Sequence, residues 1–273
     1  MNRLSQQDAT WDQDQVNAII ADLAKLRLMA DIELIAKYPY IGTKIYPLGR
    51  CREIRDAVFE LLAQKLPTAT EPGLVCLRNR LAQGQVLKKI WGALRGVYFQ
   101  NAMAIGDWYL DVSNDTVNPN KPRIEVMPLA TSGFVEITSF ELFVEVAQHY
   151  WEVSVYRNDV CPALAPFMPL LLVAKCGTSW LGDATDEMLF VATNSQFRAS
   201  EQVLNRLPPA PAEALLLWRQ ALSSISHNDF LHSQGDAVDF CQRYRTQGYH
   251  QHSAERDRAV MAYLTLPKGI VLN

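Results

Sequence analysis

Near the start of the chain, Val16, Ile19, Ile20, Leu23, Leu26, Met29 and Ile35 recur mostly at helical spacing. Residues so spaced fall along one stripe, and the pattern predicts a helix from about Asp12 to Tyr38, stopped by Pro39. Ile20, Leu23 and Ile35 are expected to anchor it in the core, with Asp14 and Asp22 facing water. Pro47 and Gly49 precede a second run, Ile54, Val58, Leu61, Leu62 and Leu66, which ends before Pro67. The two helices are expected to form a hairpin. After the turn-like segment from Pro67 to Gly73, a further helical region is expected towards Leu94, interrupted by Gly84 and Gly92.

From Val97 the period changes. Trp108, Leu110 and Val112 alternate with Asp107, Tyr109 and Asp111, as in a strand with one buried face. Arg123 to Met127 reads as its partner strand. Thr138 followed by Glu141 fits a capping box for a helix to about His149, and Trp151, Val153 and Val155 alternate again. Two continuous apolar runs, Leu170 to Ala174 and Met188 to Ala192, read as central strands covered on both sides. Pro211 and Glu213 suit the first turn of a helix carrying Leu215 to Trp218. Shorter helices are expected near Asp236 to Tyr244 and Ala254 to Leu264.

Helices, then strands, then helices predict an α+β fold: an N-terminal helical hairpin, a central mixed or antiparallel sheet and C-terminal helices. The 273 residues are read as a single compact domain, with a split near residue 96 as the alternative. Hydrophobic residues at 49% and charged residues at 20% exclude a disordered or fibrous chain. Met1 to Asp14 has the composition of neither a secretory signal nor a transit peptide. The longest stretch free of polar residues, Val160 to Ala174, is broken by prolines and short of the roughly 20 residues that span a bilayer. These features, with five cysteines and no CxxC pair, predict a soluble, cytoplasmic protein with reduced thiols and no membrane partner.

Charge matters through its distribution. The net charge of −3 gives no global attraction to nucleic acid. Yet Pro72 to Gly106 contains no acid, while Arg78, Arg80, Lys88, Lys89 and Arg95 stand beside Trp91, Tyr98 and Phe99. Such a stretch can hold an anionic ligand or an acidic partner, or it can pair internally with the acidic segment from Gly106 to Val160.

His227, Asp229, His232, His250 and His252 are the densest set of metal-ligand types in the chain. His227-Asn228-Asp229 has the spacing of the first two ligands in a two-histidine, one-carboxylate iron site, so a divalent metal is the cofactor these residues would imply. The alternative is loop histidines that are solvated or hydrogen-bonded. Asp107 and Asp111, with Glu125 opposite, could do acid and base work or simply line a solvated sheet face. Cys176 beside His149 would be a nucleophile pair, if the fold brings them together. Tyr38, Tyr40 and Tyr46, with Lys44 and Arg50, could line a pocket or pack on the adjoining helices.

Three readings of function follow. One is an enzyme acting on a small molecule, dependent on metal through the histidines, and mixed domains of this size incline the reading that way. Another is a noncatalytic binding or regulatory module for an anionic ligand or protein partner, using the basic segment. The third is a subunit whose apolar helical surface serves assembly, in an oligomeric state the sequence does not specify.

Overall fold

The structure is a computed structural model that describes residues 10–182 and 185–272. The first nine residues, part of the segment read above for a targeting leader, lie outside the described residues. Backbone contacts divide the chain into two compact units, Met1–Glu136 and Ile137–Asn273.

In the first unit, α1 spans Gln13–Lys37. Its start is fixed by a reciprocal cap: the Gln15 amide donates to Asp12 Oδ1 at 2.8 Å, and the Asp12 amide donates back to Gln15 Oε1 at 3.1 Å. Val16, Ile19, Leu23, Leu26, Ala30 and Leu34 form its buried stripe. Two of the expected assignments change. Ile35 is 53% exposed, because the buried stripe passes through Leu34 instead. Asp22 is buried, since it accepts from the Gly73 amide at 2.8 Å and pairs with Lys25 at 2.8 Å. A two-stranded hairpin, β1 (Tyr40–Ile41) and β2 (Lys44–Ile45), separates α1 from α2 (Cys51–Lys65). The helix α3 (Pro72–Ala82) then crosses α1 so closely that a Cβ on Gly73 would lie 2.3 Å from the Ala18 carbonyl oxygen.

The five-stranded antiparallel sheet consists of β3 (Leu87–Leu94), β4 (Tyr98–Ile105), β5 (Trp108–Asp111), β6 (Glu125–Pro128) and β7 (Phe134–Glu136), in the order β6-β5-β4-β3-β7. The short helix α4 (Leu129–Ser132) joins β6 to β7. Residues 87–94 are therefore strand, not the end of a helical region. Gly84, at φ +88°, ends the turn after α3, and Gly92 lies where a Cβ would meet the Val135 carbonyl oxygen at 2.2 Å. The glycines that looked like helix interruptions are a turn and a close strand approach.

Met103, Ile105, Trp108, Leu110, Val112 and Val126 pack one sheet face against α1, α2 and α3. The sheet curls, so the opposite face is buried as well: Tyr109 and Asp111 have no exposed surface. The strand pairing Asp111↔Glu125 matches the expected partner strand, which starts two residues later than its pattern indicated.

In the second unit, α5 (Phe140–Tyr150) is capped by Ser139, whose Oγ accepts from the Leu142 amide at 3.2 Å, one residue beyond the expected Thr138. The strands β8 (Val153–Arg157), β9 (Leu170–Ala174) and β10 (Thr178–Leu181) follow. Together with β11 (Ile270–Val271) they form an antiparallel sheet in the order β11-β10-β9-β8, with β9 inside it. Met188 to Ala192 is a helix, not a strand. It belongs to α6 (Asp186–Asn194), whose Thr185 hydroxyl accepts from the Met188 amide at 3.3 Å ahead of two acids in the first turn. The helices α7 (Arg198–Arg206), α8 (Ala212–Leu222), α9 (Asp229–His232), α10 (Ala237–Thr246) and α11 (Ser253–Leu264) complete the unit. Phe167, Phe197, Phe230 and Tyr244 pack edge to face or tilted within it, at 4.9 to 6.4 Å between ring centres. Among the described residues no helix is long and apolar enough to cross a membrane.

Candidate functional site

The structure gives the five basic residues separate tasks. Lys88 pairs with Glu136 at 3.3 Å, and Lys89 with Asp56 at 3.1 Å while lying over the Phe59 ring. Arg95 forms a two-pronged bond to Glu125 at 2.9 and 3.0 Å. Arg80 is buried with its guanidinium over Trp11, 5.1 Å from the ring centre. Two of these cations thus pair with the acidic segment, as the internal alternative expected. Arg78 differs: it donates to the Ala69 carbonyl at 2.8 Å and lines a groove.

That groove measures about 420 Å³, within the roughly 300 to 1,000 Å³ of small-molecule sites. Phe59, Ala63 and Leu66 form one wall at a spacing of four and three along α2 and its end. Phe59 and Ala63 lie beside the core stripe of Ile54, Val58, Leu62 and Leu66, so α2 is apolar over more than its core face. Pro67 closes the turn, and Leu81, Val86 and Leu87 form the opposite wall. Val86 is 70% exposed, with its side chain unused by the core.

The polar lining is sparse. Arg78 spends one of its donors on Ala69, and a guanidinium has five. Gln85 carries a buried Oε1 with no hydrogen-bond partner among the described residues. Gly106 makes room for that amide, since a Cβ there would come within 2.5 Å of Gln85 Oε1. The arrangement is an apolar trough with one cation on its wall, while the Gln85 acceptor is sealed against Gly106.

The structure stacks His227 on His232 with 5.3 Å between ring centres, but among the described residues no three His, Cys, Asp or Glu side chains are placed to hold an ion. His227 Nε2 is 3.3 Å from Asp229 Oδ1, with both side chains about three-quarters exposed. His232 is committed to backbone: Nδ1 accepts from the Asn228 amide at 3.1 Å and Nε2 donates to the Leu222 carbonyl at 3.1 Å. A ring with both nitrogens engaged offers a metal no lone pair. His250 presents itself to Phe197 at a right angle, 6.1 Å between centres, and His252 sits exposed ahead of α11.

The carboxylates separate too. Asp107 lies in the turn before β5, Glu125 is tied to Arg95, and Asp111 is sealed inside the curled sheet. Asp111 accepts from Gln100 Nε2 at 2.6 Å, the Ser113 amide at 2.8 Å and the Tyr109 hydroxyl at 3.0 Å. Burial pushes its carboxyl up to about 6, against the opposing pull of these donors. The same burial and the adjacent Asp111 raise the Tyr109 hydroxyl far above its ordinary value. Sealed in this way, the group fixes the turn after β5 and meets no solvent-borne substrate.

Cys176 is exposed, and its hydrogen bond with Thr178 lowers its thiol. Arg50 stacks over Tyr38 at 4.8 Å and bonds Glu53, and Tyr46 bonds Asp31, so the tyrosine segment is packed on its neighbours. In the second unit, a void among Phe140, Phe167, Leu170 and Met188 holds about 10 Å³, an apolar space no larger than one water.

Comparison with models of known families, with curated proteins and with solved structures gave no match to the chain.

Proposed function

We propose that the protein is a noncatalytic binding module for a small apolar molecule carrying an anionic group, held in the groove between α2 and α3. The observation that carries this reading is the 420 Å³ apolar trough with Arg78 on its wall. Apolar walls supply most of the affinity, and a guanidinium on the wall of the open groove selects a carboxylate or similar anion. An enzyme reading has less support, since no nucleophile and base, and no set of metal ligands, converge on this trough.

Calorimetric titration with decanoate tests the proposal. Saturable one-to-one binding is expected, and Ala63→Trp, which fills the trough from an exposed helix position, is expected to weaken it at least tenfold without changing the melting temperature. Absence of binding, or equal binding by Ala63→Trp, would overturn the assignment.

A further inference from the structure

The outer face of α1 is apolar where a solvated helix would be charged. Leu28, Ile32 and Ile35 project from it at a spacing of four and three residues, 55%, 75% and 53% exposed. Ala21 and Ala36 extend the same stripe. Met29 flanks it at 43% exposure, and the hairpin that follows adds Tyr40 and Ile45, cross-strand partners that are 67% and 72% exposed. Core demand does not explain these residues, because the opposite side of α1 already carries a full buried stripe. Contiguous patches of this kind mark interaction surfaces.

We propose that this face pairs with the same face of a second copy of the chain, the two α1 helices running antiparallel about a two-fold axis near Ile32. The area is of the right size. The exposed parts of these six large side chains amount to several hundred square ångströms, approaching the roughly 800 Å² per partner of a standard interface. The spacing is self-complementary. An axis between residues 31 and 32 sets Leu28 opposite the partner's Ile35, and Ile35 opposite the partner's Leu28, because the two lie equally far from it on nearly the same helix meridian.

Charge selects the orientation. Lys25, 67% exposed and paired with Asp22 at 2.8 Å, is the charged residue on the stripe between Ala21 and Ile35. Parallel helices would place Lys25 against the partner's Lys25. Antiparallel helices separate the two by roughly 20 Å at 1.5 Å per residue, beyond the screening length of about 8 Å. Each lysine keeps its own Asp22 at 2.8 Å and lies opposite the partner's Tyr38. The pairing leaves the groove untouched and stands independently of its proposed ligand.

Sedimentation equilibrium of the full chain decides the matter. The wild type is expected at twice the 30.8 kDa of the chain, and Ile32→Glu to raise the dissociation constant at least a hundredfold with an unchanged circular dichroism spectrum. In a Cys176→Ser background, Ile32→Cys is expected to give a disulfide-linked dimer under mild oxidation that leaves the Cys176→Ser protein unlinked, since a two-fold axis near Ile32 brings like residues together. Lys175→Glu, at an exposed site in the other unit, is expected to leave the dimer intact. A monomeric wild type at about 100 μM, a dimer indifferent to Ile32→Glu, or failure of Ile32→Cys to cross-link would overturn the proposal.

Discussion

The Asp111 group and the histidine segment are two polar clusters of this chain that meet opposite fates. Asp111 gathers donors from β4, from its own strand and from the next turn, spread over residues 100–113. Strand pairing does the gathering: Met103↔Leu110 and Ala104↔Tyr109 fix β4 against β5 and bring Gln100 to Asp111. His227 precedes α9, His232 ends it, and their rings stack at 5.3 Å between centres, but His250 and His252 sit on other short elements that no strand register couples to them. Density of chemistry along a chain does not predict convergence. A shared backbone frame does.

The largest effect that separates the clusters is expected from pH. Burial raises the Asp111 carboxyl from 3.8 to about 6 in the folded chain, so the folded state holds that proton more tightly than the unfolded one. The resulting stability is fully present below about pH 4 and is lost as pH rises through about 6, a change on the order of 3 kcal/mol by linkage. Urea unfolding at pH 4.5 and 7.5 should show it in the wild type and not in Asp111→Asn. The same pH dependence in both proteins would mean that Asp111 is not the group responsible.

A smaller loss is expected for His232→Ala, which strands the Asn228 amide and leaves the Leu222 carbonyl with only the Ile225 amide as donor, and should cost about 1 to 3 kcal/mol. Smallest is His227→Ala, expected within about 0.5 kcal/mol because its side chain is exposed. Added zinc should not shift the melting temperature of the wild type in a way that His227→Ala abolishes. A zinc shift lost in that variant would place a metal site where the comparison places none.

Much of the helical framework was legible because stripe and stop signals agreed. Val16 to Leu26 ahead of Pro39, Ile54 to Leu66 ahead of Pro67, and Asp236 opening α10 each carry a period and a boundary. The failures have local causes. A five-residue apolar run has no period of its own, so Met188 to Ala192 read like Leu170 to Ala174, and the Thr185 cap with Asp186 and Glu187 was the distinguishing signal. Alternation in β5 revealed two faces, but curling of the sheet buried both, which no single strand encodes. At the groove, Arg78 stood out by charge alone. Leu66 was read as part of the core run of α2, while Phe59 and Ala63 carried no signal of their own, and Gln85 acquires meaning only where Gly106 approaches it.

The central claim is that the Arg78 guanidinium confers an anion requirement on an apolar groove, and paired titrations with decanoate and decanol on wild type and Arg78→Gln test it most directly. The wild type is predicted to prefer decanoate about tenfold, about 1.4 kcal/mol, with the preference shrinking as salt rises and vanishing in Arg78→Gln. Equal affinity of the wild type for the acid and the alcohol, or a preference that survives in Arg78→Gln, would contradict it.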